Sequence, residues 1–427
     1  MTLFIITINN TVSNTFECRP MKCILLFIFL TFTYLLKAQP TRPYPQHVRY
    51  TLGTIKPSHV SQIILDSEVT TFYREWKKKY IKEGCEKDQF YIWAQGIKKI
   101  ECVSEGQGYG MVIIALMAGI DGDEQKIYDG MFRYFKHHPS RRSPSLMAWQ
   151  QLSGCGDAEK SSATDGDIDI CYSLILADAQ WGSKGIINYR LEALTMIDAI
   201  MKQEINPKTW SVILSNDVEE DSHDYFDMRT SDFIPTAFKL FGILSKDANW
   251  NKVVDHNYTL FHSLQTRFSP DAGLVPDFVI HTNSNAVPPR GKYLESKYDG
   301  SYNYNACRVP WRIGLDYLLT GDKKSKAFID KINLWIRKTT SNTPDNISAG
   351  YTLGGDDLPR RYFEALSFIS PFAVAAMTDA KNQEWLNRLW DYLTGFKMSE
   401  FDYYDNTIRL IGSIILSGNY WQPDVGK

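Results

Sequence analysis

An all-α fold is predicted for this chain by three observations. Twelve segments carry helical character, convincing two-residue alternation of apolar and polar side chains is scarce, and no Pro/Ser-rich linker separates one helical segment from the next. Together they argue for one all-α domain. Helix pairs that each return the chain to the same side could close into a ring, although no sequence repeat marks such a unit.

The elements follow in order. Residues 1–39 read as a signal or targeting segment: Met21-Lys22-Cys23, then apolar Ile24 to Leu30 and Thr31 to Leu36, then Lys37-Ala38-Gln39. Met21 is the better start, because residues 1–20 have no signal character of their own. The protein is therefore expected to be secreted or periplasmic. An uncleaved anchor is the alternative, but the apolar stretch is short for a full span. Residues 40–58, rich in proline and polar side chains, form an N-terminal arm, and 59–427 form the domain. The helical segments are 59–81, 107–119, 123–137, 167–180, 186–204, 231–244, 248–267, 309–319, 324–338, 362–377, 382–395 and 403–417. In the fifth, Ile187, Leu191, Leu194, Ile197 and Met201 keep one face.

Composition excludes some classes. A net charge of −2 over 427 residues gives no basic surplus for nucleic acid or an anionic membrane surface. No segment beyond the leader is long and apolar enough to span a membrane. Aromatic content is generous, with 11 Trp and 24 Tyr, and flat rings suit sugar stacking. Five cysteines follow the leader, Cys85, Cys102, Cys155, Cys171 and Cys307, with no CxxC pair and no His-rich spacing. That argues against zinc. One disulfide is compatible with export, and Cys102 and Cys171 read as packing residues.

Chemistry concentrates in four places. In Val103-Ser104-Glu105-Gly106-Gln107-Gly108-Tyr109-Gly110, one carboxylate stands among glycines at the entrance to an apolar helix. The plainer alternative is a helix start, with Ser104 as cap and Glu105 at the positive end. Asp165, Asp167 and Asp169 alternate at a second helix start. They fit a sugar-binding carboxylate, or capping by Thr164 and Asp165; a calcium loop lacks its closing glutamate. Arg290 to Arg312 crowd an acid, amides, tyrosines and arginines ahead of a helix. Residues 138–166, 206–230 and 268–308 are long connections, which in a compact domain usually carry function. Two carboxylates far apart in sequence but meeting in a cleft are what glycosidic cleavage needs. Gly106-Gln107-Gly108-Tyr109-Gly110 is no dinucleotide motif, since its glycine spacing is wrong.

Four stretches in order resemble glycoside hydrolase family 8: Cys102 to Met111, Ala163 to Ile170 with Ala177 to Trp181, Arg229 to Phe233, and Tyr304 to Arg312. The resemblance spans most of residues 60–420 and implies an (α/α)6 barrel that cuts β-1,4 glycans endo-fashion with inversion. It implies Glu105 as general acid and Asp165 or Asp167, Asp165 preferred, as the carboxylate holding the sugar beside the scissile bond. Asp232, Asn305 and Arg308 are expected substrate contacts, and Tyr109 and Trp149 candidate stacking platforms. Many members carry an aspartate base where this chain has Asn305, and a neutral amide cannot take a proton from water. The chitosanase-like subgroup also has asparagine there and uses a glutamate in the preceding loop. Leu294-Glu295-Ser296-Lys297-Tyr298-Asp299-Gly300 resembles that loop, which makes Glu295 the expected base.

The expectation is thus a chitosanase acting as a monomer, with no metal, no cofactor, no nucleic-acid partner and no stable membrane association. Asp217, Glu219, Glu220, Asp221, Asp224 and Asp227 would meet substrate amines, or else form a solvated loop. A β-1,4-glucanase, lichenase or xylanase of the same family is the enzymatic alternative. A glycan-binding protein on a dead scaffold is the other, motivated by Asn305.

Overall fold

Alternate helices of this protein differ in how they are buried, and the difference organises the fold. The computed structural model describes residues 39–96, 99–359 and 362–426, of which Pro40 onward forms one compact unit. The expected leader lies outside the described residues except for Gln39. Twelve α-helices are found among the described residues: α1 Gln62–Tyr80, α2 Ser104–Leu116, α3 Glu124–His137, α4 Thr164–Trp181, α5 Tyr189–Gln203, α6 Pro235–Ser245, α7 Asn249–Phe268, α8 Val309–Thr320, α9 Lys323–Thr339, α10 Leu366–Ala376, α11 Gln383–Thr394 and α12 Tyr403–Leu416. Each corresponds to one of the segments expected from sequence.

The even-numbered helices are apolar nearly all round: α2 buries every side chain but Glu105, and α10 buries all of its own. The odd-numbered helices bury one stripe, as surface helices do. Each even helix packs on the next even one, α2 on α4, α4 on α6, α6 on α8, α8 on α10, α10 on α12, and α12 returns to α2. Each also packs on one odd helix: α3, α5, α7, α9, α11 and α1 in turn. That cyclic order is the one a ring of six helix pairs requires.

The arm at 40–58 crosses the C-terminal ends of this set. Thr41, Tyr44, Val48, Thr51 and Ile55 donate their N–H groups to the carbonyls of Gln180, Ala118, Gly418, Leu318 and Met377, at 2.7–2.9 Å. Those acceptors close α4, α2, α12, α8 and α10, whose last carbonyls have no partner within the helix. Asn419 adds two acceptor contacts, to the N–H groups of Gln46 and His47.

Regular β structure is present but short, which corrects the expectation of little more than helix. Seven strands run two to four residues: β1 Ile81–Glu83, β2 Phe90–Ile92, β3 Ile100–Val103, β4 Gln150–Leu152, β5 Asp157–Glu159, β6 Met228–Arg229 and β7 Phe278–Val279. They pair antiparallel as β1–β2, β3–β4–β5 and β6–β7. Such strands are too brief to show a period. Cys85 and Cys155 form a disulfide, and Cys102, Cys171 and Cys307 are buried thiols. No helix among the described residues is long and apolar enough to cross a membrane.

Candidate active site

The N-terminal ends of the even helices gather the polar groups. α2 and α4 approach there so closely that a Cβ on Gly108 would lie 2.9 Å from the Gly166 carbonyl oxygen, and one on Gly166 2.8 Å from the Glu105 nitrogen. Glycine at both positions lets the backbones touch, and this sets Glu105 and Asp165 side by side in the first turns of their helices. Neither helix start is capped by its own side chain. Ser104 Oγ has no hydrogen-bond partner, and Thr164 donates to the Ile213 carbonyl instead.

Arg308, in the turn that opens α8, joins the groups. Its Nη1 bonds to Glu105 Oε2, to Asp165 Oδ2 at 2.7 Å and to the Tyr109 hydroxyl at 3.1 Å. Its Nη2 donates to Ser231 Oγ at 2.7 Å and to Asn305 Oδ1 at 3.0 Å. The Tyr403 hydroxyl, from the start of α12, donates to Glu105 Oε1 at 3.2 Å. Burial pushes Glu105 up to about 7 against the pull of Arg308, with Asp165 reinforcing the rise. Burial would raise Asp165 too, but Arg308 and Arg229 outweigh it and hold that carboxylate below its ordinary range. One acid is therefore poised near neutrality and its neighbour stays ionised.

Glu295 approaches from the loop before α8. Asn305 Nδ2 donates to its Oε2 at 2.8 Å, and Arg229 Nη2 to its Oε1 at 3.0 Å. The orientation of the Asn305 amide is fixed, because its oxygen accepts from Arg308. The loop is held by a single buried carboxylate: Asp299 accepts the N–H groups of Tyr293, Leu294, Glu295 and Ser296 at 2.7–3.0 Å. Asp277 does the same for the next segment, accepting from Asn303, Asn305 and Ala306, and burial pushes it up to about 7. The β6–β7 pair places Arg229 opposite Phe278, next to Asp277.

Several expected contacts lie elsewhere. Asp167 is fully buried and turned from the cluster, accepting the Met147 N–H at 2.8 Å. In a helix, residues two apart differ by about 200° in direction, so Asp167 must face away from Asp165. Asp169 returns to the same side and pairs with Arg312, as Asp165 does with Arg308. The three aspartates thus share no cation site. Tyr109 is 1% exposed, packed against Trp311 and bonded to Arg308, and offers no stacking face. Asp232 is also fully buried, 3.5 Å from Arg229, and pushed up to about 8 by burial against the pull of that arginine. It reaches the cleft through Arg229 and through Ser231, whose hydroxyl donates to Asp232 Oδ1 and accepts from Arg308. Trp149 is half-buried, and its carbonyl accepts the Ser104 N–H, beside Glu105.

The acidic loop is largely neutralised. Asp217 pairs with Arg141 and Arg142, Glu219 with Arg142, and Glu220 with Lys208. Asp227 accepts from the Tyr293 hydroxyl and the His281 N–H. Sequence reasoning missed Tyr403, Arg229 as partner of Glu295, Asp277 and Asp299. It also missed a groove of about 570 Å³ beside Tyr403, lined by the exposed rings of Tyr304, Tyr362 and Phe363 together with Phe401. Of these Arg229, Asp299 and Tyr304 stood in singled-out motifs. One carboxylate grouping among the described residues has metal-like spacing, Asp121, Asp123 and Glu124, and the Lys77 ammonium already bonds to the first two.

A helical scaffold that sets one near-neutral glutamate among ionised carboxylates, guanidiniums and aromatic rings is the equipment of a glycoside hydrolase. The comparisons with known proteins are more specific: the chain belongs to glycosyl hydrolases family 8, whose pattern it matches over residues 47–417. It is 41% identical over 402 residues to a beta-glucanase of Niallia circulans, covering 94% of this chain and 96% of that one. An endoglucanase of Bacillus sp. (strain KSM-330) is 38% identical, over 90% of this chain and 83% of its own. The apo structure of a beta-1,3-1,4-glucanase from Paenibacillus sp. X4 superposes with a TM-score of 0.86 at 40% identity, covering 90% of this chain and all of that one. Glucanase is the activity for which these three relatives are named, whereas the sequence had led to the expectation of a chitosanase.

Proposed function

We propose that this protein is an exported, inverting endo-β-glucanase, cutting β-1,4 bonds in a mixed-linkage or β-1,4 glucan, on an (α/α)6 barrel. The cyclic packing of the even helices supports the barrel. The Cys85–Cys155 disulfide supports export, since such bonds persist outside the reducing cytosol. Glu105 gives its proton to the leaving oxygen; burial, which pushes its pKa up to about 7, favours the protonated form that this step needs. Glu295 takes a proton from the water that attacks the anomeric carbon from the opposite face. Asp165 receives a hydroxyl of the sugar beside the cleaved bond, and Trp149 and Tyr304 offer rings.

The observation that carries this reading is the bond from Asn305 Nδ2 to Glu295 Oε2. Here the amide is a donor that aims the base, so asparagine at 305 is compatible with activity. Arg308 and Asn305 stand between the two glutamates, which supports the wider spacing of about 6.5–9.5 Å that leaves room for water. No metal or cofactor enters these steps. The test is side-by-side hydrolysis of soluble β-1,3-1,4-glucan, carboxymethyl cellulose, chitosan and xylan, with the first anomer read by proton NMR. Fastest cleavage of the mixed-linkage glucan with an inverted product is expected. A retained anomer would overturn the mechanism. Chitosan is the second reading, because the Asn305–Glu295 arrangement resembles the chitosanase-like subgroup. Faster cleavage of chitosan than of any glucan would establish it, and inactivity on all four would leave a binding protein.

A further inference from the structure

Two carboxyl groups outside these steps meet in the interior. Asp167 lies in the first turn of α4 and Glu204 directly follows α5, and both are fully buried. One oxygen of each has a conventional donor. Asp167 Oδ1 accepts the Met147 N–H at 2.8 Å, and Glu204 Oε1 accepts the Ser162 hydroxyl at 2.5 Å. The other two, Asp167 Oδ2 and Glu204 Oε2, have no donor at all. Yet the two carboxyls lie within hydrogen-bonding reach of each other. Two ionised carboxylates have no proton to place between them, and like charges at such range cannot both persist in a buried site.

We infer that Asp167 and Glu204 share a proton and act as a positioning pair that fixes two long loops to the helix turn bearing Asp165. Through Met147 the pair holds the segment that continues to Trp149, whose carbonyl accepts the N–H beside Glu105. Through Ser162 it holds the other end of that loop. Ser162 and Asn216 exchange two hydrogen bonds, and Asn216 Nδ2 reaches Ser140 Oγ at 2.9 Å. The groups facing the pair are acidic or neutral. Asp165 and the Cys171 thiol stand on α4, and the Ser162 and Thr164 hydroxyls beside them. The segment 206–216 contributes the amides of Asn206 and Asn216 nearby. Neither carboxyl joins an ion pair among the described residues; Arg308 is engaged by Asp165.

Burial holds both carboxyls above their ordinary range, reinforced at Asp167 by the charge of Glu204 and at Glu204 by that of Asp165. The sign follows. Above the unfolded pKa of about 4.3 the native state binds more protons than the unfolded one, so stability falls as pH rises, about tenfold in the folded-to-unfolded ratio per pH unit for each retained proton. Glu204→Gln supplies an N–H donor where the proton sat and keeps an acceptor for Ser162.

The experiment is denaturant unfolding of the full chain between pH 5 and 9, wild type against Glu204→Gln, with kcat and KM on soluble β-glucan. The variant is expected to lose a slope of about tenfold per pH unit. Loss of the shared proton should raise the wild-type KM at alkaline pH, and that rise should flatten in the variant, while kcat still follows Glu105. Parallel stability slopes would overturn the shared proton. A flattened slope with an unmoved KM profile would overturn the positioning role. Asp167→Asn, which puts the donor on the other partner, carries the same test if Glu204→Gln does not fold. The catalytic part rests on the proposed glucanase reading; the unfolding arm does not, so a different substrate would leave it intact.

Discussion

At their N-terminal ends the even helices present Glu105, Asp165 and Tyr403, with Arg308 in the turn leading into α8. At their C-terminal ends the same helices present bare carbonyls, and the arm supplies the N–H groups that satisfy them. The first end concentrates buried charge, a glutamate displaced to about 7, and a buried hydroxyl, Ser104 Oγ, that has no hydrogen-bond partner. The second joins neutral backbone groups, and these are paired. Unsatisfied polar groups cost stability, so the comparison teaches that chemistry and cohesion reside at opposite ends of the same helices. Substitutions should separate along that division.

The largest effect is expected at the charged end. Glu105→Gln and Glu295→Gln should each lower turnover by about 10²–10⁴-fold, with the unfolding midpoint unchanged or raised. Near wild-type turnover in either variant would remove that residue's role. Deleting residues 40–55 should do the reverse. Five backbone hydrogen bonds at roughly 1 kcal/mol each put the loss near 5 kcal/mol, read by denaturant unfolding, while kcat of the folded fraction stays put. A shortened protein of unchanged stability would dissolve the comparison.

Smaller effects sharpen it. Asn305→Ala should cost about tenfold in kcat, the loss of one aiming hydrogen bond, well short of Glu295→Gln. Equal losses would mean that Asn305 does more than aim the base. The pH dependence has a definite sign. In the proposed mechanism Glu105 acts in its protonated form, so kcat/KM should decline as pH rises through about 7. The raised pKa also means that Glu105 contributes a stability loss between its ordinary value and about 7, which Glu105→Gln should abolish. An alkaline limb beginning two pH units higher would contradict the burial argument.

Much of this was legible in the sequence because the apolar runs of the even helices are long and uninterrupted. Even Pro371, inside α10, does not hide that helix. Boundaries shifted where another element intervened: α2 begins at Ser104 rather than 107 because Val103 ends a strand paired with β4. Glu105, Asn305, Glu295 and Arg308, each in a motif singled out from the sequence, are joined by hydrogen bonds in the structure. What spacing concealed was direction and distance along the chain. The four-residue interval of Asp165 and Asp169 matches that of Arg308 and Arg312, a correspondence visible only once α4 and α8 are known to face each other. Tyr403 lies nearly 300 residues from Glu105, with no motif to connect them. Asp277 and Asp299 act on backbone N–H groups, which leave no trace in residue type.

The arm also orders events in time. Its acceptors range from Ala118 to Gly418, so Val48 waits for a partner made 370 residues later. At typical elongation rates that wait is roughly 20–80 s. Throughout it the ring of helices also lacks α12, which joins it back to α2. Until α12 emerges, the nascent chain can close neither this cycle of helix contacts nor its strap, and so it stays extended and threadable.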